Sequence, residues 1–382
     1  MQAMNYRGPF RVRLEHKPMP EILHPNDAII RVTRSCICGS DLHLYHGMVP
    51  DTRVGTTFGH EFIGVVEEIG PSVQKLKIGD QVLVPFNIAC GQCAFCKQGL
   101  YGNCHESNSM ATAVGGIFGY SHTAGGFDGG QAEYVRVPYA DVGPTVIPEG
   151  MDHDDALLLT DVVPTGYQAA EMAGIKMGDT VVIFGAGPVG IIAAKCAWLF
   201  GAGRVIVIDH LEYRLEFVRN YAQCEAYNFR SLEDPVLFVK KTTDWFGADV
   251  CIDAVGSDAC GSALHTITGK KLMLQAGAAT ALHWAVNAVK KGGIVSIVGV
   301  YGPTDNLVPI GNVVNKGITI RANQASVKRL LPRLIEHVQA GRLNPKEIIT
   351  HRIPLEEVSD AYHIFSAKLD DCIKPVLITG KV

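Results

Sequence analysis

Long apolar runs are missing from the sequence. No uninterrupted stretch approaches the roughly 18 residues that a membrane-spanning helix requires, and residues 1–7 lack the apolar segment of a secretory signal. A strong charge of either sign is also missing, since the net charge is -4 at pH 7, so no basic surface for nucleic acid is expected. These absences predict a cytoplasmic protein whose partners include neither a membrane nor a nucleic acid.

Internal repeats and low-complexity segments are absent as well, which argues against solenoid and disordered classes. The 382 residues are 47% hydrophobic and 19% charged, which is typical of a globular protein. This length exceeds one ordinary core and favours two domains. Because no secretory signal is present, the 11 cysteines are expected to be reduced thiols that bind metal or pack in the core.

Two short runs carry the densest chemistry in the chain. Residues 38–43 read Cys-Gly-Ser-Asp-Leu-His, and residues 59–61 read Gly-His-Glu. Together they offer a thiolate, an imidazole and two carboxylates, which are the ligands that a catalytic zinc ion takes. The candidate ligands in these runs are Cys38, Asp41, His60 and Glu61. The first run also carries the Ser40 hydroxyl and the His43 imidazole, which could move a proton away from whatever the metal binds.

Two interpretations remain open at this site. His43 taken alone is most simply an ordinary loop histidine. Asp161, which precedes a predicted helix, is either a third metal ligand or a helix cap. Glu61 competes with it, but Glu61 directly follows His60, and neighbouring side chains on a strand point to opposite faces. We therefore favour Asp161 over Glu61 as the third ligand.

Four cysteines form a second constellation. Cys90, Cys93 and Cys96 are separated by two residues each, and Cys104 follows after seven more. Four thiolates in one short loop can close a tetrahedral shell around zinc with no position for water, which is typical of a structural site. Unrelated thiols, a disulfide pair or an iron–sulfur cluster are the alternatives.

From Thr180 the pattern changes to buried parallel strands. The apolar run 181–184 is followed by a glycine-rich turn, a helix and a second apolar run that ends in Asp209. This order is the fingerprint of dinucleotide binding, because glycines let the backbone approach the pyrophosphate at a helix N-terminus. The turn consists of Gly185, Ala186, Gly187, Pro188, Val189 and Gly190. Asp209 could accept hydrogen bonds from both ribose hydroxyls and would repel a 2′-phosphate, which favours NAD over NADP.

These patterns predict an α/β protein with two domains. A dinucleotide-binding domain with a doubly wound parallel sheet, residues 162–320, is inserted into a β-rich domain of residues 1–161 and 321–382. The cysteine lobe occupies residues 88–106 of the β-rich domain.

The motifs in chain order resemble those of the zinc-dependent medium-chain alcohol dehydrogenases, over nearly the whole chain. They are CGSDxH at 38–43, GHE at 59–61, the cysteine lobe, TD-x3-TG at 160–166 and GAGPVG at 185–190. Segments 84–91, 129–135 and 137–141 and the lengthened segment after Gly256 are similar to glutathione-independent formaldehyde dehydrogenases, and 160–166 also resembles bacterial secondary alcohol dehydrogenases. The resemblance implies a Rossmann coenzyme domain inserted into a GroES-like catalytic domain.

The resemblance also implies two zinc ions per chain and NAD as coenzyme. A catalytic zinc would be held by Cys38, His60 and Asp161, with Glu61 as an exchanging ligand behind it and Asp41 hydrogen-bonded to His60. A structural zinc would be held by the four lobe cysteines. Besides the glycine turn and Asp209, the implied coenzyme contacts are Arg214, Val255, Val300 and Lys374.

The implied reaction is the reversible oxidation of an alcohol, or of a hydrated aldehyde such as formaldehyde, by hydride transfer to NAD. Ser40 would accept the substrate proton and pass it through the coenzyme ribose to His43 at the surface. A homo-oligomer is expected, with a tetramer favoured over a dimer. The alternative is a scaffold or sensor that binds zinc and nucleotide without turnover.

Overall fold

The computed structural model describes residues 1–111, 114–256, 279–301 and 308–379. The chain divides into a first unit, Met1–Pro164 with Ser326–Val382, and a second unit, Thr165–Ala325. These boundaries lie within a few residues of the predicted ranges 1–161 with 321–382 and 162–320. Most of the lengthened segment noted after Gly256, residues 257–278, lies outside the described residues.

The strands of the first unit are short, and many of them carry consecutive buried residues. They are β1 (Gln2–Tyr6), β2 (Val12–His16), β3 (Ala28–Cys36), β4 (Phe62–Ile69), β5 (Gln81–Val84), β6 (Asn87–Ile88), β7 (Gly116–Ile117), β8 (Tyr134–Val137) and β9 (Thr145–Val146). The second unit contributes β10 (Thr180–Phe184), β11 (Arg204–Asp209), β12 (Glu225–Asn228), β13 (Ala248–Asp253), β14 (Val289–Ile297) and β15 (Thr319–Ala322). The C-terminal segment adds β16 (Ile349–Pro354) and β17 (Lys374–Ile378) to the first unit.

Helices separate these strands. They are α1 (Gly39–Tyr45), α2 (Ala94–Lys97), α3 (His153–Leu158), α4 (Val162–Ala173), α5 (Pro188–Leu199), α6 (Glu212–Ala222), α7 (Pro235–Lys241), α8 (Thr280–Ala288), α9 (Ile310–Lys316), α10 (Val327–Gln339) and α11 (Val358–Ala367). Among the described residues, no helix has both the length and the apolar character needed to cross a bilayer.

The first unit is built on a seven-stranded sheet in the order β16-β17-β3-β4-β5-β9, with β8 also paired to β3. β3 runs antiparallel to β4 and to β17, with Ser35 opposite Phe62 and Cys36 opposite Val376. The end of β3 therefore lies beside the start of β4 and the beginning of β17. This register brings three distant stretches of the chain to one edge of the sheet.

The second unit is a six-stranded parallel sheet in the order β12-β11-β10-β13-β14-β15. The strand order reverses between β10 and β13, and in such sheets ligands bind beyond the carboxyl ends of the strands at that reversal. Residues 181–184 of β10 are a continuous apolar run, because helices cover a parallel sheet on both faces. The predicted doubly wound parallel sheet is confirmed.

Candidate functional site

Four side chains that could hold a metal ion converge in the first unit. One ligand atom each of Cys38, His60, Glu61 and Asp161 lies within 4.8 Å of all the others. Asp161 Oδ2 is 3.7 Å from Cys38 Sγ and 3.3 Å from His60 Nε2. Zinc–ligand bonds of ordinary length would place tetrahedral neighbours roughly 3.4–3.6 Å apart. The spacing of these atoms therefore fits a zinc ion.

The strand register explains how this group forms. Because the end of β3 lies beside the start of β4, Cys38 just after β3 meets His60 and Glu61 just before β4. The structure does not follow the alternation that we expected to separate His60 from Glu61. Both side chains reach the ligand group, since residues 60 and 61 precede the strand rather than belong to it.

Glu61 forms a buried ion pair with Lys374. Lys374 Nζ lies 2.6 Å from Glu61 Oε1, and the two side chains are 1% and 0% exposed. Burial alone would lower the pKa of Lys374, but the Glu61 carboxylate, together with Cys36 and Cys38, outweighs burial and raises that pKa, so the lysine stays charged. The other carboxylate oxygen, Glu61 Oε2, is buried without a hydrogen-bond partner among the described residues. That oxygen is available to a metal ion.

Asp41 supports two of the candidate ligands. Its Oδ2 accepts a hydrogen bond of 2.9 Å from the Cys38 backbone N–H, and its Oδ1 lies 3.2 Å from His60 Nδ1. The first contact satisfies a free amide at the start of α1, which explains why residues 39–45 form a helix where a loop was expected. Asp41 thus contacts the backbone of Cys38 and the imidazole of His60.

Ser40 and His43 lie on this helix. Ser40 Oγ is 3.4 Å from His60 Nε2, at the edge of the ligand group. His43 follows three residues later, and positions three apart on a helix are neighbours on one face. The expectation that His43 lies at the surface is wrong, because α1 packs into the core and leaves His43 only 4% exposed.

The four lobe cysteines form a second ligand group. Their sulfur atoms all lie within 4.8 Å of one another, with Cys90 and Cys96 separated by 4.0 Å and Cys93 and Cys104 by 4.0 Å. A tetrahedral zinc–thiolate site needs about 3.8 Å, whereas a disulfide would need about 2 Å. All four are free thiols. Burial raises the pKa of Cys93, but nearby backbone amides, led by that of Cys96, lower it to about 6.

The glycine turn of the second unit has the backbone conformation that it was predicted to need. Gly185 has a φ of +101°, and a Cβ there would come within 2.7 Å of Val255 Cγ2. Gly187 is the N-cap of α5, and Pro188 occupies the first turn. The free N–H groups at this helix start can bind a phosphate. Arg214 lies beside the turn, 3.7 Å from where a Cβ of Gly187 would be.

Asp209 lies at the end of β11 next to this turn. Its Oδ2 accepts from the Ala186 amide at 2.6 Å, and its Oδ1 accepts from the amides of His210 and Leu211. Burial raises the pKa of Asp209, but the His210 side chain, these amides and Arg214 together lower it to about 2. Because each oxygen accepts about two hydrogen bonds, Oδ2 keeps room for one ribose hydroxyl rather than the predicted two.

Comparison with known proteins identifies the family. Models of the alcohol dehydrogenase GroES-like domain and of zinc-binding dehydrogenases match residues 24–149 and 188–274. The zinc-type alcohol dehydrogenase-like protein AdhB of Bacillus subtilis is 44% identical over 99% of this chain and 100% of its own length. The chain belongs to the zinc-dependent medium-chain alcohol dehydrogenase family. The predicted Rossmann domain inserted into a GroES-like domain is thereby confirmed.

The chain is also similar to two further members of the alcohol dehydrogenase family. The structure of alcohol dehydrogenase TADH from Thermus sp. ATN1 has a TM-score of 0.86 and 33% identity, covering 100% of both chains. A glutathione-independent formaldehyde dehydrogenase of Pseudomonas aeruginosa is 38% identical over 313 residues, covering 78% of this chain and 75% of that protein. Membership of a zinc-binding dehydrogenase family agrees with the two ligand groups, each of which fits a zinc ion.

The remaining predicted coenzyme contacts of this family member divide between the two units. Arg214 and Val255 lie against the glycine turn, and Val300 packs its backbone against Gly256 in the same unit. The predicted coenzyme contact of Lys374 is wrong. It lies in the first unit, 1% exposed, and its ammonium group is engaged by Glu61, so it is not open to a coenzyme phosphate.

Sequence reasoning missed the partners of the dehydrogenase metal site that lie behind the ligands. Lys374 begins the otherwise apolar strand β17, and a lone lysine at the start of a buried strand was a signal for a buried ion pair. Gln131 and Tyr362, which also lie behind the ligands, carried no comparable signal.

Proposed function

We propose that this chain is a zinc- and NAD-dependent dehydrogenase that reversibly oxidises an alcohol, or a hydrated aldehyde such as formaldehyde, by hydride transfer to NAD. The observation that carries the proposal is the group of Cys38, His60, Glu61 and Asp161, whose spacing matches a tetrahedral zinc site. The glycine turn and an ionised Asp209 support NAD as the coenzyme.

The charges around the metal site support this chemistry. A zinc ion held there would supply the Lewis acidity that lowers the pKa of a substrate hydroxyl, and NAD would supply the hydride acceptor. The Cys38 thiolate and the Asp161 carboxylate match the two positive charges of zinc. Lys374 balances the third anion, Glu61, so no excess negative charge opposes loss of the substrate proton.

Proton removal is assigned to Ser40 and His43. Ser40 Oγ lies beside the ligand group, 3.4 Å from His60 Nε2, where it can take the proton that a substrate hydroxyl releases while it gives up its own hydroxyl proton. His43 occupies the neighbouring position on the same helix face and is assigned as the next proton acceptor.

Two aromatic rings beside the metal site support one class of substrate. The rings of Phe86 and Tyr120 meet the His60 ring edge-on, with centroids at 6.0 and 6.4 Å. These uncharged aromatic rings beside His60 support alcohols or aldehydes without a charged group near the reacting carbon. The formaldehyde option is supported by the similarity to the Pseudomonas aeruginosa enzyme.

A coenzyme-linked screen tests the proposal. Primary alcohols, secondary alcohols and formaldehyde would be offered with NAD and, in parallel, with NADP, while formation of the reduced coenzyme is followed by absorbance. We expect turnover with NAD that is abolished in Cys38→Ser. Binding of NADH without turnover on any substrate would instead favour the scaffold or sensor.

Coenzyme preference should depend on Asp209. In Asp209→Gly, the ratio of kcat/KM with NAD to that with NADP should fall at least about tenfold, because like charges close together cost several kcal/mol. The value with NAD should fall as well, since the carboxylate also holds the Ala186 amide. Asp244→Gly is a matched control, an exposed aspartate with a φ of +49° in the turn before β13. A wild-type preference for NADP would contradict the assignment.

Asp161 should complete the catalytic zinc site. Asp161→Asn keeps the side-chain shape but removes the charge, and we expect zinc affinity at this site to fall by at least about 100-fold, more than for a residue behind a ligand. Metal content after dialysis against a graded chelator measures this loss. The matched control is Asp234→Asn, at the N-cap of α7, where asparagine caps equally well. If Asp161→Asn retained two zinc ions at normal affinity, the third ligand would have to be Glu61 rather than Asp161.

A further inference from the structure

A buried chain of polar side chains connects the C-terminal helix α11 to His60. Tyr362 donates its hydroxyl proton to Gln131 Oε1 at 2.9 Å, and Gln131 Nε2 donates to Asp41 Oδ2 at 3.3 Å. Asp41 Oδ1 then lies 3.2 Å from His60 Nδ1. Tyr362, Gln131 and Asp41 are 0% exposed and His60 is 4% exposed.

The chemistry of the members gives the chain one direction. Burial raises the pKa of Tyr362 well above its usual range, so the hydroxyl keeps its proton and can donate it. Gln131 accepts at its oxygen and donates from its nitrogen, both to Asp41 and to the Cys36 carbonyl at 3.0 Å. The reversed amide would place Oε1 against two acceptors. These contacts therefore determine the orientation of the Gln131 side-chain amide.

The direction of the chain decides which nitrogen of His60 faces the metal. Asp41 Oδ2 accepts from two donors and its Oδ1 faces His60 Nδ1 as an acceptor, so Nδ1 carries the hydrogen and Nε2 keeps its lone pair. Nε2 is the nitrogen that lies 3.3 Å from Asp161 Oδ2 in the ligand group. Asp41 Oδ1 and His60 Nδ1 are both buried and form no hydrogen bond with any other described residue, and the 3.2 Å contact between them is longer than an ideal hydrogen bond. The orientation of the imidazole thus depends on where Asp41 is held, and both the Cys38 amide and the Gln131 amide hold its Oδ2.

The backbone around His60 leaves space for this glutamine. The Gln131 amide donates to the Phe58 carbonyl at 3.1 Å, and the Gly130 amide donates to the Gly59 carbonyl at 2.7 Å. Gly59 has a φ of +99°, and a Cβ at this position would collide with Gln131 Cγ. Glycine beside His60 therefore lets the Gln131 side chain pass through to Asp41.

We propose that Gln131 and Tyr362 are positioning residues that set the tautomer and orientation of His60 toward the catalytic metal, acting through Asp41. This inference rests on the proposed function in one respect, namely that His60 binds the catalytic zinc. It adds that the C-terminal helix controls the metal affinity of a ligand far away in the sequence.

The test measures metal binding separately from turnover. Tyr362→Phe keeps the ring but removes the donor, and zinc should leave its catalytic site at a roughly tenfold lower chelator concentration than in the wild type. In Gln131→Leu this chelator concentration should fall further, to about 100-fold below that of the wild type. Cobalt placed in the catalytic site should show a changed visible spectrum in both variants. The double variant should lose its catalytic zinc at the same chelator concentration as Gln131→Leu, because the two residues act through the same series of hydrogen bonds.

Two controls make the result decisive. Tyr45→Phe changes a tyrosine whose ring lies 5.1 Å from that of Tyr362 in the same core cluster, and it should leave both zinc ions in place. The zinc of the cysteine lobe is an internal control in every variant. Unchanged catalytic-site affinity, or equal loss from both sites, would overturn the proposal. Failure to turn over any alcohol would remove the proposed function but leave this measurement valid.

Discussion

Replacement of Lys374 by methionine is expected to lower the free energy of unfolding by about 3–5 kcal/mol. The methionine retains most of the volume but leaves the Glu61 carboxylate buried without its counter-charge, since both side chains are almost fully inaccessible. The double variant Lys374→Met with Glu61→Gln should recover much of this loss, because the uncompensated charge is then gone. Denaturant unfolding of the purified protein measures both changes.

Lys346→Met is the matched control for this experiment. Lys346 is paired with Asp152 at 2.7 Å, but the side chains are 46% and 41% exposed, so its loss should change the free energy of unfolding far less than loss of Lys374. Equal stability of Lys374→Met and Lys346→Met would show that the buried pair contributes little. If Lys374 bound the coenzyme, its replacement would mainly weaken NAD binding, which a fluorescence titration of NADH would detect.

Loss of a lobe cysteine should affect stability far more than loss of a catalytic-site cysteine. A structural zinc contributes on the order of 10 kcal/mol to the folding of small zinc domains, and Cys93→Ser removes one of its four ligands. We expect this variant to hold one zinc ion and to unfold at least about 5 °C below the wild type. Cys38→Ser should also hold one zinc ion but remain folded, with turnover lost.

Zinc content and melting temperature together separate the two roles. Cys224→Ser is the matched control, because Cys224 lies in the second unit outside both ligand groups and is half-buried. It should keep two zinc ions and normal turnover. A wild-type protein with one zinc ion, or with the absorbance of an iron–sulfur cluster, would contradict the assignment of the lobe.

Local patterns in the sequence were sufficient for much of the fold. The apolar run, glycine turn and following acid predicted the β10–α5–β11 unit, because each step depends on residues that are neighbours along the chain. The spacing of the lobe cysteines likewise predicted a ligand group that the structure assembles. Errors at this level were local, as at residues 39–45, where a capping contact of Asp41 forms a helix in an expected loop.

The support of the catalytic site required the tertiary structure. Lys374 reaches Glu61 across 313 positions of sequence, and Tyr362 reaches Gln131 across 231. No periodicity or motif spacing encodes such pairings, because they arise from the return of the C-terminal segment to β3 and α1. The same holds for Glu61, whose direction follows from where β4 begins rather than from its place beside His60. Residue types along the chain indicate which ligands are available, whereas burial and long-range register decide which of them are charged, oriented and brought together.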